Sequence, residues 1–87
     1  MNLHNFRNII AWQKARELVK LIYPYTVVLS KNRHYDLSKQ IFRSAVSIPS
    51  NIAEGSGRGS IKDFIHFLQI VLGSATEQET QIILSID

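Results

Sequence analysis

The sequence predicts an all-α protein, an antiparallel up-and-down helical bundle. Two observations predict it: three long segments carry apolar residues at helical spacing, and two short breaks rich in polar residues or glycine separate them. Helices are expected at about residues 8–29, 37–54 and 61–87. Because the chain has 87 residues, residues 1–87 are expected to form a single helical-bundle domain with a small core.

The first predicted helix carries an apolar row on one face. Successive members of the row lie three or four residues apart: Ala11, Ala15, Leu18, Ile22, Thr26 and Leu29. Polar side chains such as Gln13 and Glu17 fall on the opposite face, so the helix is amphipathic. Pro24 lies within this pattern, and because proline supplies no amide hydrogen, the helix either kinks there or ends and restarts.

The second predicted helix follows a polar connection, residues 30–36, and Asp36 is expected to cap its start. Its inward row consists of Leu37, Ile41, Ala45, Ile48 and Ile52. Pro49 lies inside the pattern and predicts a bend. Gly55 is expected to end the helix in the left-handed conformation that glycine adopts easily.

The third predicted helix starts at a capping pair, Ser60 and Asp63, and is apolar on most of its circumference. Such a helix must be buried on most sides, and two other helices of so short a chain cannot cover it. A fourth helix, another subunit, or both are therefore expected to pack there. We predict an oligomer interface formed by Phe64, Phe67, Ile70 and Leu72.

Composition narrows the function classes. The chain has no cysteine, so disulfide scaffolds and thiolate chemistry are excluded. No secretory signal pattern and no apolar run long enough for a membrane span are seen, so a cytoplasmic protein without membrane contact is expected. No metal or cofactor is expected either, since Asp63 and His66 alone offer too few ligands.

The net charge of +3 is unevenly distributed. Residues 1–62 hold all ten lysines and arginines against three acidic residues, a balance of +7, whereas residues 63–87 carry four acidic residues and no basic one. Such polarity favours a basic surface that attracts polyanions, although charges that merely solvate helix faces would give the same pattern. Six residues are predicted to contact nucleic-acid phosphates: Lys14, Arg16, Lys20, Lys39, Arg43 and Arg58.

Three further features each have two interpretations. Tyr35 is a candidate for stacking on an unpaired base, or a core residue. Trp12 is interpreted as a packing anchor at the start of the first helix, in preference to a platform on which a base stacks. The G-S-G-R-G segment at residues 55–59 is interpreted as a tight helix–helix turn, with a phosphate contact as a secondary use.

No catalytic arrangement stands out, so the protein is not expected to be an enzyme. A helical nuclease using Arg33 with His34, or Arg58 with His66, is the alternative.

Several motifs together resemble one protein family. They are W-Q-K-A-R-E-L at residues 12–18, I-Y at 22–23, A-V-S-I-P-S-N-I-A-E-G at 45–55, G-R-G-S at 57–60 and G-S-A-T-E-Q-E-T-Q at 73–81. On these motifs the chain resembles the four-helix-bundle family of 23S rRNA intervening-sequence proteins. That family is similar to the accessory variability protein of diversity-generating retroelements.

The resemblance implies an up-and-down four-helix bundle that assembles as a homopentamer. It also implies a non-enzymatic role in binding structured RNA or DNA through a basic surface. Members of the family are often encoded within inserts in large-subunit ribosomal RNA genes. The alternative that it implies is a protein-interaction scaffold whose basic face meets an acidic partner such as a reverse transcriptase. Three of the four helices are recognised in this chain, and the fourth is expected to follow Asp87.

Overall fold

The computed structural model describes residues 5–87. They form a short 3₁₀ turn, Phe6–Asn8, and three α-helices: α1 (Ile10–Lys31), α2 (Tyr35–Ser56) and α3 (Ile61–Ile86). The all-α prediction is confirmed, and each predicted helix boundary lies within two residues of the observed one. Both prolines lie inside uninterrupted helices, so α1 does not end and restart at Pro24.

The helix α2 occupies the centre of the fold. Within residues 5–87, α1 and α3 each pack along α2 but not along each other. The short connections make consecutive helices antiparallel, and the fold is elongated, with extents of 46 × 19 × 15 Å. The hydroxyls of Tyr25 and Ser85 form a hydrogen bond that joins α1 to α3 directly.

The core lies where α1 and α2 meet. Ala15, Ile48 and Ile52 are buried and form its cluster, against which Trp12 and Val71 pack. The inward row predicted for α2 is confirmed over Ile41, Ala45, Ile48 and Ile52, which are buried, while Leu37 is half-buried. Ile41 is fully enclosed, with 0% of its surface exposed.

The connection between α1 and α2 is a tight turn. The amide of His34 donates to the carbonyl of Leu29 at 2.9 Å, and the amide of Arg33 donates to Ser30 at 3.1 Å. This pair of bonds is the Schellman arrangement, and it places Arg33 in the left-handed region with a φ of 67°. The predicted cap at Asp36 is wrong: α2 begins at Tyr35, two residues earlier than predicted, with His34 at the N-cap position. Asp36 lies in the first turn, where its negative charge interacts favourably with the helix dipole.

Gly55 does not cap α2, contrary to the prediction. It is buried inside the helix, and a Cβ atom placed on it would lie 2.7 Å from the Cβ of Phe67. Its role is therefore to let α3 approach α2 closely. The left-handed glycine of the second connection is Gly59, with a φ of 80°. The predicted cap of α3 is confirmed, since the Ser60 hydroxyl accepts from the Asp63 amide at 3.1 Å.

Polar side chains fill the contact between α2 and α3. The Ser44 hydroxyl donates to the Gln81 side-chain carbonyl at 2.8 Å, and the Gln78 amide donates to the Ile41 backbone carbonyl at 3.3 Å. Nearer the other end, the hydroxyls of Ser47 and Ser74 lie 2.9 Å apart. In the described part of the chain every buried side-chain nitrogen and oxygen has a partner, so these small polar residues fix the register of the two helices without an unsatisfied group.

Candidate nucleic-acid interface

An open cavity lies beside the first turns of α1. It has a volume of about 570 Å³, and its lining is formed by Arg7, Trp12, Gln13, Arg16, Glu17 and Lys20. Five of these side chains come from α1, where spacings of three and four residues bring them to one flank of the helix. The sixth, Arg7, comes from the 3₁₀ turn that precedes α1.

One hydrogen bond fixes the turn against the helix. The Gln13 side-chain amide donates to the backbone carbonyl of Arg7 at 2.8 Å. Because this bond closes the chain back onto α1, the Arg7 side chain reaches a cavity that is otherwise built by the helix. Sequence reasoning missed Arg7, Gln13 and Glu17 as site residues, and no local signal marks Arg7 beyond its charge and its closeness to Trp12.

Trp12 stands between the core and the cavity. It packs against the core cluster, which confirms its interpretation as a packing anchor, and its ring meets that of Phe6 edge-on with centroids 5.1 Å apart. The guanidinium carbon of Arg16 lies 5.8 Å from the centre of the Trp12 ring. A cation over the face of an indole is attracted by its electron density, so Arg16 is held at the cavity wall.

The cavity carries an excess of positive charge. Arg7, Arg16 and Lys20 face it, against the carboxylate of Glu17. Among residues 5–87 the one ion pair joins Arg58 to Glu54, so none of the three cations of the cavity forms an ion pair, and with Glu17 counted the cavity keeps a net charge of +2. The three cations are exposed, and their clustering at one open cavity attracts anions more strongly than the same charges dispersed over the whole surface.

The other predicted phosphate contacts lie elsewhere. Lys14 is two positions from Arg16, which corresponds to roughly 200° around the helix, and it does not line the cavity. Arg43 is exposed on α2. Arg58 pairs with Glu54 at 2.6 Å and lies 5.0 Å from the centre of the Phe67 ring. The structure thus brings together Arg16 and Lys20 and leaves Lys14, Arg43 and Arg58 outside their cavity.

Lys39 lines a second, shallower groove between α1 and α2, with a volume of about 240 Å³. Its lining is formed by Tyr23, Thr26, Val27, Ser30, Ser38, Lys39 and Phe42. The rings of Tyr23 and Phe42 meet edge-on there, with centroids 5.8 Å apart. Sequence reasoning did not single out this aromatic pair. Tyr35, the proposed stacking residue, is exposed at the first position of α2 and lines neither cavity.

The predicted oligomer residues divide between two sides of α3. Phe64 and Phe67 are half-buried, and Phe67 contacts Gly55 of α2. Ile70 and Leu72 are exposed. On the side of α3 facing away from α2 an exposed apolar row runs along the helix at spacings of four, three and four residues. We call it the α3 row: Ile61, Ile65, Leu68 and Leu72.

Other kinds of site find less support. No group of three or more residues able to hold a metal ion occurs among the described residues. No described helix is long and apolar enough to cross a membrane. Of the pairs considered for a nuclease, Arg58 and His66 both lie against the Phe67 ring, while Arg33 and His34 are exposed in the turn between α1 and α2.

Comparison with models of protein families identifies a family that this chain matches. The family model described as "23S rRNA-intervening sequence protein" matches residues 7–87 of this chain. The match spans the cavity, the second groove and the α3 row. No curated protein matches the chain.

Proposed function

The chain belongs to the 23S rRNA-intervening sequence protein family, and from this premise we propose that it is a non-enzymatic, homo-oligomeric protein that binds structured nucleic acid through a basic surface. The observation that carries the proposal is the cavity beside α1, in which Arg7, Arg16 and Lys20 gather without carboxylate partners. Their charges suit the phosphate groups of a nucleic acid. The family description, which refers to an insertion in a ribosomal RNA, supports RNA as the ligand.

Phosphate contacts predict a characteristic dependence on salt. Each phosphate neutralised by a lysine or arginine releases counterions, so the logarithm of the binding constant falls linearly with the logarithm of the salt concentration. We expect this slope to be about −2 to −4, which corresponds to three or four lysine or arginine side chains of the protein in contact with phosphates. Fluorescence anisotropy of a labelled RNA hairpin with an unpaired loop, titrated with the protein at several salt concentrations, measures it. Binding that does not change with salt would contradict the proposal.

The oligomeric part of the proposal depends on the α3 row. Its four side chains are between 41% and 68% exposed, although each is a leucine or an isoleucine. An apolar row of this length on a small protein is typical of a surface that a partner covers. We propose that a second copy of the chain covers it. Burying the row lowers the free energy by about 25 cal/mol for each Å² removed from water. Five copies, the number implied by the family resemblance, are the expected assembly.

Negative charges introduced into the α3 row by mutation should dissociate the oligomer into single chains. The double variant Leu68→Glu with Leu72→Glu is expected to be monomeric, because burying two carboxylates against an apolar partner costs several kcal/mol. Light scattering of both proteins at equal concentration measures the effect. Leu84→Glu is the control, since Leu84 is exposed on α3 but lies about 120° around the helix from Leu72. A wild-type protein with the mass of one chain would overturn the proposed assembly.

A further inference from the structure

The geometry points to an unpaired nucleotide as the ligand of the α1 cavity, with its base stacked beside Trp12 and its phosphates held by Arg16 and Lys20. The inference rests on the proposed function and narrows the ligand from a structured nucleic acid to the unpaired nucleotides of one, such as those of a hairpin loop. It differs from a general basic surface in one respect: the base, and not only the phosphate backbone, enters the protein.

The cavity suits both halves of a nucleotide. Its volume of about 570 Å³ falls within the range of about 300–1,000 Å³ that is usual for small-ligand sites. An aromatic ring and three cations line the same space, which is the combination that single-strand binding proteins use for bases and phosphates. Glu17 and Gln13, at the same wall, add acceptors for the amino and hydroxyl groups of a base and its ribose.

A strand that leaves the cavity meets a second aromatic site along the same flank of α1. Arg16, Lys20, Tyr23 and Val27 follow one another at spacings of four, three and four residues, so they lie along one side of the helix over about 16 Å. Lys20 lines the cavity, and Tyr23, less than one turn further on, lines the groove with Phe42 and Lys39. Cations and aromatic rings therefore lie together along one flank of α1, from the cavity to the groove that α1 shares with α2.

This arrangement favours an unpaired strand over a duplex. In a duplex the bases are stacked on their neighbours and paired, so only their edges and the backbone face a protein. Trp12 is half-buried at a cavity wall that also carries Arg16 and Lys20, so stacking on its ring requires a base whose face is free, as in an extruded or unpaired nucleotide.

The single tryptophan of the chain, Trp12, provides the measurement. We expect a short single-stranded RNA to quench its fluorescence, with an affinity at least tenfold higher than that of a duplex of equal length. Arg16→Gln with Lys20→Gln should weaken binding at least tenfold, and Tyr23→Ala should weaken it severalfold with the quenching at saturation unchanged. Lys62→Gln, which removes an exposed charge of α3 outside both cavities, is the control and should bind as the wild type does.

Anisotropy of the labelled strand, recorded in parallel, distinguishes two kinds of failure. A strand that binds without changing the Trp12 emission, or a duplex that binds as tightly as the strand, overturns the inference and leaves the proposed function standing. If neither RNA nor DNA binds at low salt, both are overturned. Equal affinity for RNA and DNA strands supports recognition through base and phosphate, and a preference for RNA supports an added contact to the ribose 2′-hydroxyl. Circular dichroism of each variant verifies that the helices are retained.

Discussion

Reversing the charges of Arg16 and Lys20 to glutamate is expected to reduce the affinity for RNA by on the order of 100-fold or more. A hydrogen bond to a charged group contributes about 1.5–3 kcal/mol, and two such contacts to phosphate would be replaced by repulsion. The remaining charged residues of the cavity would then be Arg7 against three carboxylates. Anisotropy of the labelled hairpin at low salt measures the loss.

The control for this variant has the same net charge. Lys14→Glu with Lys62→Glu also reverses two cations, so both double variants change from +3 to −1. Neither lysine lines the cavity, and we expect the control to lose only severalfold in affinity through long-range attraction. Equal losses in the two variants would mean that total charge, and not the cavity, determines binding.

Replacing Gly55 by valine should lower the free energy of unfolding by about 3 kcal/mol, through steric overlap between α2 and α3. The first side-chain carbon at this position would lie 2.7 Å from the Cβ of Phe67, an atom that cannot move without its backbone. The two helices must therefore separate, and the hydrogen bonds between Ser44 and Gln81 and between Ser47 and Ser74 would lengthen with them. Thermal unfolding followed by circular dichroism should show a decrease in Tm of roughly 10–20 °C.

Gly73 provides the matched control, because it also lies inside a helix but has no atom within 4 Å of its Cβ position. Gly73→Ala should raise stability by up to about 1 kcal/mol, the difference in helix propensity between the two residues. If Gly55→Val unfolds at the wild-type temperature, the close approach of α2 and α3 at Phe67 does not occur in solution.

The fold was largely predictable because its signals are local. The row from Ile41 to Ile52 has helical spacing, and α2 is central, so the pattern and the burial agree. The role of Gly55 could not be predicted from its local sequence. A glycine near a helix end usually marks the end, and the contact that explains it here comes from Phe67 on the next helix. That contact depends on tertiary packing, which propensities do not encode.

The candidate site was predictable only in part. The spacing of Arg16 and Lys20 places them on one flank of α1, and both line the cavity. Lys14 was predicted to contact phosphates as well, but it lies two positions from Arg16, and residues two apart point to different sides of a helix. Arg7 is brought to the same cavity by the hydrogen bond from the Gln13 side chain to the Arg7 backbone carbonyl. This contact involves the backbone of an irregular turn, so the spacing of residues in the sequence does not predict it.

The central position of α2 has a consequence for how the chain folds. Because α1 and α3 pack on α2 and not along each other, nearly every helix pairing joins segments that are neighbours in sequence. Such a topology has a low contact order, so little chain entropy must be lost before the first contacts form. Domains of this kind fold in microseconds to milliseconds. Each hairpin, α1 with α2 or α2 with α3, is thus a natural starting point, and folding speed should depend on the two turns more than on distant contacts.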